Sequence, residues 1–190
     1  MRWNLPNILT WLRMLVIPLL LAVYLWPDPT LDMSARNLIG TWLFIAAAVT
    51  DWVDGWLARR LGQVSAFGAF LDPVADKLLV CAALVLLLEL NRVGALVAVI
   101  IIGREIAISA LREWMASAGA RASVAVHSVG KLKTAAQLIS IPMLLFHQPL
   151  FGVVPTQRIG TWLIWVAAGL TLWSMFYYLR QAWPHLRDAQ

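Results

Sequence analysis

Residues 51–59 read DWVDGWLAR and residues 68–76 read GAFLDPVAD. They place four aspartates, Asp51, Asp54, Asp72 and Asp76, inside a sequence that is otherwise apolar enough to lie in a membrane. A charge at the centre of a bilayer costs about 2.5–3.5 kcal/mol on insertion-based scales. The cluster therefore needs a compensating cation, and oxygen ligands favour hard divalent ions such as Mg²⁺ or Mn²⁺.

The composition around these stretches indicates an integral membrane protein. Of the 190 residues, 61% are hydrophobic and 13% are charged, and the mean hydropathy is +0.75. Soluble domains carry about twice that share of charge. Because backbone groups in hydrocarbon must bond internally, we predict an all-α, polytopic membrane fold with one domain over residues 1–190. The six predicted transmembrane helices are approximately Asn7–Trp26, Leu38–Ala58, Ala69–Leu90, Val93–Met115, Leu132–Phe151 and Ile159–Leu179.

Basic residues are divided unevenly between the two sets of segment ends. One set has only Arg36, Arg92 and Arg158. The positive-inside rule therefore predicts a multi-pass protein of the cytoplasmic (inner) membrane, with both termini and the aspartates facing the cytoplasm. The net charge of +5 then reflects loops that face anionic membrane lipids, and no nucleic-acid partner is predicted. The basic set is Arg2, Arg59, Arg60, Arg112, Arg121, Lys131, Lys133, Arg180 and Arg187.

Helical periodicity groups the acids into two stripes. At about 100° per residue, Asp51, Asp54, Gly55 and Ala58 fall within an arc of roughly 100° on the second span. On the third span, Gly68, Asp72 and Asp76 are spaced four residues apart and share one face. A short turn separates the two spans, so we expect them to pack antiparallel and to bring the stripes together.

Four carboxylates in one place indicate a metal site. Two unit charges at 4 Å repel by about 4 kcal/mol at an effective dielectric constant of 20. Two divalent ions would neutralise the set and could hold phosphoryl oxygens. The alternative is contact between helices through Asp bonded to Arg, Ser or Thr, which accounts for one or two acids but not for four at these spacings.

The complete pattern, D-x2-D-G-x2-A-R-x8-G-x3-D-x3-D, resembles the signature of the CDP-alcohol phosphatidyltransferases without departure. The resemblance implies a six-helix bundle that expels CMP from a CDP-linked lipid and forms a homodimer. It implies that Asp51, Asp54 and Asp72 hold two Mg²⁺ or Mn²⁺ ions, with Asp76 near them as the base for the acceptor hydroxyl. The residues that it implies for the CDP moiety are Gly55, Ala58, Arg59 and Gly68.

Segments outside this pattern bear on the acceptor. The stretches 4–13, 71–77, 103–114 and 130–137 resemble the family members that use CDP-diacylglycerol as donor and glycerol 3-phosphate as acceptor. A phosphorylated acceptor needs cations, and an arginine deep in a span usually faces a cavity or an acid. The residues predicted to bind the acceptor phosphate are Arg104, Arg112, Lys131 and Lys133. The alternative for them is control of topology, with pairing to Glu105 or Glu113.

Three further alternatives remain at this point. Thr10 and Arg13 are predicted to line the same cavity near the CDP moiety, but simple snorkelling to the membrane surface accounts for them equally well. A sister enzyme of the family would use phosphatidylglycerol as acceptor and make cardiolipin. An ion-coupled transporter would use the acids as a relay, although transporters often contain repeats and this sequence has none that is visible.

Overall fold

The computed structural model describes residues 5–27, 29–61, 66–117 and 128–188. Within these ranges the chain forms six α-helices, and β pairing is limited to an isolated bridge between Leu150 and Val154. The predicted all-α fold is confirmed. The helices are α1 (Leu5–Leu25), α2 (Met33–Leu61), α3 (Ala66–Glu89), α4 (Ala95–Ser117), α5 (Ser128–Phe146) and α6 (Thr156–Asp188).

The helix ends differ from the predicted spans in two ways. Helices α2 and α6 extend past the apolar segments at both ends, because backbone hydrogen bonding continues where hydropathy falls. Helix α5 instead ends at Phe146, before the predicted end at Phe151. His147 and Phe151 have φ angles of 56° and 54°, and this left-handed conformation stops a right-handed helix.

A single hydrophobic core joins all the helices. Each helix contributes at least one side chain that is no more than 2% exposed. Burial of one large apolar side chain contributes about 1.5–3 kcal/mol on transfer scales, so this core fixes the relative positions of the helices. Representative members, in helix order, are Leu20, Phe44, Leu87, Ile101, Ile141 and Ile164.

The outer surface of the bundle is apolar, as expected of a protein in a membrane. Leu15, Val99 and Trp162 are 62%, 68% and 74% exposed, and many other large apolar side chains also face outward. Two of the described helices contain a stretch long and apolar enough to cross a membrane, at Ile8–Leu25 and Thr156–Arg180. In α3 and α4, every 18-residue window includes at least three charged side chains, because both helices carry residues of the predicted site.

Among the residues that the structure describes, helix α1 packs against both α2 and α3. The packing of α1 on each of these helices is more extensive than the packing of α2 on α3. The expectation that the acid stripes meet by direct packing of α2 on α3 involves residues next to the turn between these helices, many of which lie outside the described set, and it stays a prediction. The acids approach one another mainly around a face of α1, and the side chains of that face become part of the site.

The opposite end of the bundle is held by what we call the arginine clamp: Arg36, Arg92 and Asn37. Arg36 donates to three carbonyls at the C-terminal end of α1 at 2.8 to 3.0 Å. Arg92 donates to two carbonyls in the last turn of α5 at 3.1 and 2.7 Å, and to Asn37 Oδ1 at 2.7 Å. The last carbonyls of a helix have no partner within the helix, so the clamp satisfies them and ties four segments together.

Candidate active site

Three helices bring aspartates and their partners together in what we call the acid cluster: Asp51, Asp72, Asp76, Thr10 and Arg13. The Arg13 Nη1 atom lies 2.9 Å from Asp51 Oδ1 on α2 and 2.5 Å from Asp76 Oδ1 on α3. Thr10 Oγ1 donates to Asp72 Oδ1 at 2.6 Å. The sequence prediction that acids from the second and third helices converge is supported by these contacts.

The donors and acceptors of the acid cluster differ in their access to solvent. The side chain of Arg13 is 0% exposed, whereas those of Asp51 and Asp76 are 43% and 42% exposed. Asp51 and Asp76 contact the same Arg13 nitrogen, so the two carboxyl groups are adjacent. The acids are thus accessible from one side and held by a buried cation on the other.

The arrangement fits a divalent cation in part. Oxygens of Asp51 and Asp76 converge on the Arg13 Nη1 atom at 2.9 and 2.5 Å, so both carboxylates are held by one buried cation, and carboxylate oxygens are the ligands that Mg²⁺ prefers. Among the side chains that the structure describes, no group of three or more Asp, Glu, His or Cys is arranged to hold a metal ion. The side chain of Asp54, a predicted ligand, lies outside that set. The donor chemistry and the accessibility of Asp51 and Asp76 are those of an ion site that needs a further ligand.

The structure describes the other predicted residues of this region only in part. Asp54, Gly55, Ala58 and Arg59 lie on α2, but their side-chain positions are outside the described part of the structure. Gly68 is buried near the start of α3. The proposed binding of the CDP moiety by these four glycine, alanine and arginine residues therefore stays a prediction.

Snorkelling is the wrong interpretation for Thr10 and Arg13. Both residues are only 1% exposed, and each binds at least one carboxylate of the acid cluster. A snorkelling side chain keeps its charged end in water, whereas the Arg13 guanidinium is enclosed between helices. Their predicted contact with CDP remains untested.

Next to the acid cluster lies a basic cluster: Arg104, Arg112 and Lys133 with Glu105 and Tyr178. Arg104 Nη1 lies 3.1 Å from Glu105 Oε1, and Lys133 Nζ bonds to the same oxygen. Arg112 Nη2 donates to the Tyr178 hydroxyl at 2.9 Å. The structure thus brings together three of the four cations predicted for the acceptor phosphate, whereas the side chain of Lys131 is outside the described set.

The charges in the basic cluster are incompletely balanced. Glu105 is its carboxylate partner, and it accepts from both Arg104 and Lys133. Arg104 is 7% exposed, and its Nε atom is buried without a hydrogen-bond partner. Buried donors without partners cost about 1–3 kcal/mol, so the geometry favours a further anion or water at this position. The alternative interpretation, pairing with Glu105, is therefore correct but accounts for only part of the charge.

Two residues of this cluster were missed by the sequence analysis. Tyr178 lies between two guanidinium groups, with Arg112 Cζ 4.9 Å and Arg104 Cζ 5.9 Å from its ring centre. Ser174 Oγ accepts from Arg104 Nη2 at 3.2 Å. Ser174 and Tyr178 are four residues apart on α6, and this spacing of polar groups on one face of an apolar helix is a signal that could have identified them.

Lys77 lies in the region between the two clusters. It follows Asp76 on α3, and it is close enough to Glu105 on α4 to interact with it electrostatically. Carboxylates and cations therefore occupy neighbouring parts of one polar region. Such a region can bind a metal ion and a phosphate side by side.

The chain belongs to the CDP-alcohol phosphatidyltransferase family, whose family model matches residues 3–173. A relative from Pseudomonas fluorescens is 48% identical over 187 residues, covering 97% of this chain and 92% of the relative. Relatives from Salmonella choleraesuis and Shigella flexneri serotype 5b are 46% and 47% identical over 190 residues, covering 99% of this chain and 100% of each relative. All three are named CDP-diacylglycerol–glycerol-3-phosphate 3-phosphatidyltransferase.

Proposed function

We propose that this chain is a membrane-bound transferase that moves the phosphatidyl group of CDP-diacylglycerol to glycerol 3-phosphate and releases CMP. The observation that carries the proposal is the adjacency of an accessible acid cluster and an incompletely neutralised basic cluster. The near full-length relatives bear the name of this activity. The family resemblance also suggests a homodimer, and the distribution of basic residues suggests a site that faces the cytoplasm.

The acid cluster is the proposed metal site. Asp51, Asp54 and Asp72, with Asp76 beside them, would hold two Mg²⁺ or Mn²⁺ ions. When bound, the ions supply positive charge that neutralises the diphosphate and stabilises the departing CMP. Gly55, Ala58, Arg59 and Gly68 are proposed to accommodate the CDP moiety, with Arg59 able to form charge-assisted bonds to phosphate oxygens.

Asp76 is the proposed general base. Its carboxylate is 42% exposed and adjacent to Asp51, so an incoming hydroxyl group can reach it. The acceptor oxygen forms a bond to the phosphorus of the phosphatidyl group. The bond from that phosphorus to CMP breaks, and its electron pair leaves with CMP. The proton of the acceptor hydroxyl passes to Asp76. Asp76→Asn should keep donor binding and lose rate by about 100-fold or more; a normal rate would remove Asp76 from this role.

The basic cluster is the proposed site of the acceptor phosphate. A phosphate would bind Arg104, Arg112 and Lys133, together with Lys131, and would add the negative charge that Glu105 alone does not supply. Arginine binds phosphate oxygens with charge-assisted hydrogen bonds. This arrangement favours a small, doubly charged phosphate monoester over phosphatidylglycerol, the acceptor of the sister enzyme that makes cardiolipin.

A groove between α1 and α3 is the proposed position of one acyl chain of the donor. Its volume is about 450 Å³, and its walls are almost entirely apolar. It begins at Met14 and Leu78, next to Arg13 and Asp76 of the acid cluster, and it extends along both helices for about 10 Å. Its remaining walls are formed by Ile17, Pro18, Leu21, Cys81, Ala82 and Val85.

The test is an acceptor panel with purified protein and CDP-diacylglycerol in detergent, with CMP release as the readout. Glycerol 3-phosphate should support release, whereas phosphatidylglycerol, serine and inositol phosphate should not. EDTA should stop the reaction, and added Mg²⁺ or Mn²⁺ should restore it. Release with phosphatidylglycerol alone would instead identify a cardiolipin-forming enzyme, and an ion-coupled transporter would release no CMP with any acceptor.

A further inference from the structure

Over residues 8–25, where its side chains are described, the mostly apolar helix α1 has polar side chains buried at Thr10 and Arg13. Thr10 and Arg13 are each 1% exposed, while their neighbours Trp11 and Leu12 are 42% and 50% exposed. The two polar residues are three positions apart and therefore share one face of the helix. An enclosed arginine is costly unless it is paired, so its place in the bundle needs a reason.

The partners of this face lie on two other helices. Thr10 Oγ1 donates to Asp72 Oδ1 at 2.6 Å, and Arg13 Nη1 contacts Asp51 at 2.9 Å and Asp76 at 2.5 Å. One helix face thereby reaches three of the four aspartates in the family signature. Because α1 packs on both α2 and α3, the spacing of these donors sets the spacing of the carboxylates.

The difference in exposure shows from which side the carboxylates are held. The Arg13 side chain is fully enclosed, whereas the carboxylates of Asp51 and Asp76 are more than two-fifths exposed. Because Arg13 is enclosed, it contacts the carboxylates from their buried side, and the exposed part of each carboxylate is available to a ligand.

We propose that Thr10 and Arg13 are positioning residues that orient the aspartates for a divalent ion, and that they act through these carboxylates rather than by touching the nucleotide. Hydrogen-bond donors behind metal ligands restrict the ligands to productive orientations. The role rests on the proposed function to the extent that the aspartates bind an ion. It assigns a purpose to the start of α1, which lies outside the aspartate pattern.

The test is a titration of the purified, substrate-free protein with Mn²⁺, in which electron paramagnetic resonance measures the free ion. Thr10→Val has nearly the same shape but no donor, and it should bind Mn²⁺ about 10- to 100-fold more weakly. Thr10→Ser keeps the hydroxyl and should bind as the wild type does. Equal affinity for Thr10→Val and Thr10→Ser would overturn the proposal.

Arg13 is tested in the same assay with Arg13→Gln and Arg13→Lys. Arg13→Gln should weaken Mn²⁺ binding, and Arg13→Lys should restore part of the loss because it returns the charge. Tighter Mn²⁺ binding by Arg13→Gln would show that Arg13 competes with the ion. Unchanged Mn²⁺ affinity together with a raised KM for CDP-diacylglycerol would show that Arg13 contacts the nucleotide. Either result overturns the proposal. If Arg13→Gln does not fold, the comparison of Thr10→Val with Thr10→Ser remains the test of the proposal.

The assay separates this proposal from the proposed function. A wild-type protein that binds Mn²⁺ with the expected dependence on Thr10, yet releases no CMP with glycerol 3-phosphate, would preserve the positioning role and refute the transferase. A protein that releases CMP with glycerol 3-phosphate, but whose Mn²⁺ affinity is unchanged by the substitutions at Thr10 and Arg13, would refute the positioning role and preserve the transferase.

Discussion

Arginines at the two ends of this bundle bind different partners. In the arginine clamp, Arg36 and Arg92 donate mainly to backbone carbonyls at the ends of α1 and α5. At the other end, Arg13 and Arg104 contact carboxylates. Backbone carbonyls are present whatever the side chains are, so the clamp serves the fold, whereas paired side-chain charges are costly to bury and indicate a site.

This comparison predicts a division of effects. Substitutions at the site end should remove activity while the protein stays folded, and substitutions at the clamp should lower stability while the remaining folded protein stays active. Asp76 and Arg92 lie 16 residues apart in the chain, mostly along α3, which corresponds to about 24 Å. Effects at such a distance are usually additive, so the two classes should be separable.

The largest expected effect is at the acid cluster. Asp72→Asn should reduce CMP release by well over 100-fold, because loss of a metal ligand should exceed the 10- to 100-fold cost of losing an outer partner. The melting temperature in detergent should change little. The matched control is Asp32→Asn, an exposed residue that accepts from the Ala35 amide at 2.9 Å and can still do so as asparagine. Retained turnover by Asp72→Asn would contradict metal ligation.

A smaller effect on activity is expected at the basic cluster. Arg104→Ala should raise the KM for glycerol 3-phosphate by about 10- to 100-fold, because a charged hydrogen bond contributes roughly 1.5–3 kcal/mol. The KM for CDP-diacylglycerol should change much less, and it serves as the internal control. Steady-state kinetics with each substrate varied in turn gives both values. An unchanged acceptor dependence would exclude Arg104 from the phosphate pocket.

The clamp should show the opposite behaviour. Arg92→Met leaves two carbonyls of α5 and the Asn37 side chain without their donor, which should lower the free energy of unfolding by about 1–3 kcal/mol. Thermal unfolding in detergent should record the loss, and the kcat of the folded protein should remain near wild type. Arg158→Met, at an exposed position near the start of α6, is the control and should change neither quantity. A large loss of kcat with normal stability would contradict the inference that the clamp stabilises the fold without acting in the site.

The smallest effect is expected from a pair of glycines, one packed on Tyr24 beside the clamp and one in α6 with open space around it. A Cβ atom on Gly40 would lie 2.5 Å from the Tyr24 ring, whereas one on Gly169 meets nothing within 4 Å. Overpacking costs about 1–3 kcal/mol and alanine gains about 1 kcal/mol in a helix, so Gly40→Ala should be destabilising by roughly 0–2 kcal/mol. Gly169→Ala should be neutral or stabilising by up to about 1 kcal/mol. The melting temperatures of the two variants test the difference, and equal values would show that the Tyr24 ring can move aside.

The helices and the cluster of cations were predictable to different degrees. Long apolar segments separated by charged or proline-containing turns identify helices without any tertiary information. Arg104 was predicted to bind phosphate because it lies deep in a membrane segment, where charge is costly. Arg112 and Lys133 were grouped with it because Arg112 lies eight residues further along nearly the same helix face and Lys133 begins the next span on the cytoplasmic side. Tyr178 and Ser174 were not predicted, because their four-residue spacing marks a polar face on α6 but does not show that this face meets the arginines of α4.

The amino-acid sequence by itself determined the membrane class, the number of helices, and the spacing of the aspartates along each helix, because hydropathy and helical periodicity are properties of neighbours in the chain. The tertiary structure alone decided that α1 lies against both α2 and α3 and that Arg13 is enclosed behind Asp51 and Asp76. It also decided that α6 supplies partners for Arg104 and Arg112. These contacts join residues more than 35 positions apart, and only packing of the core can select which distant faces meet.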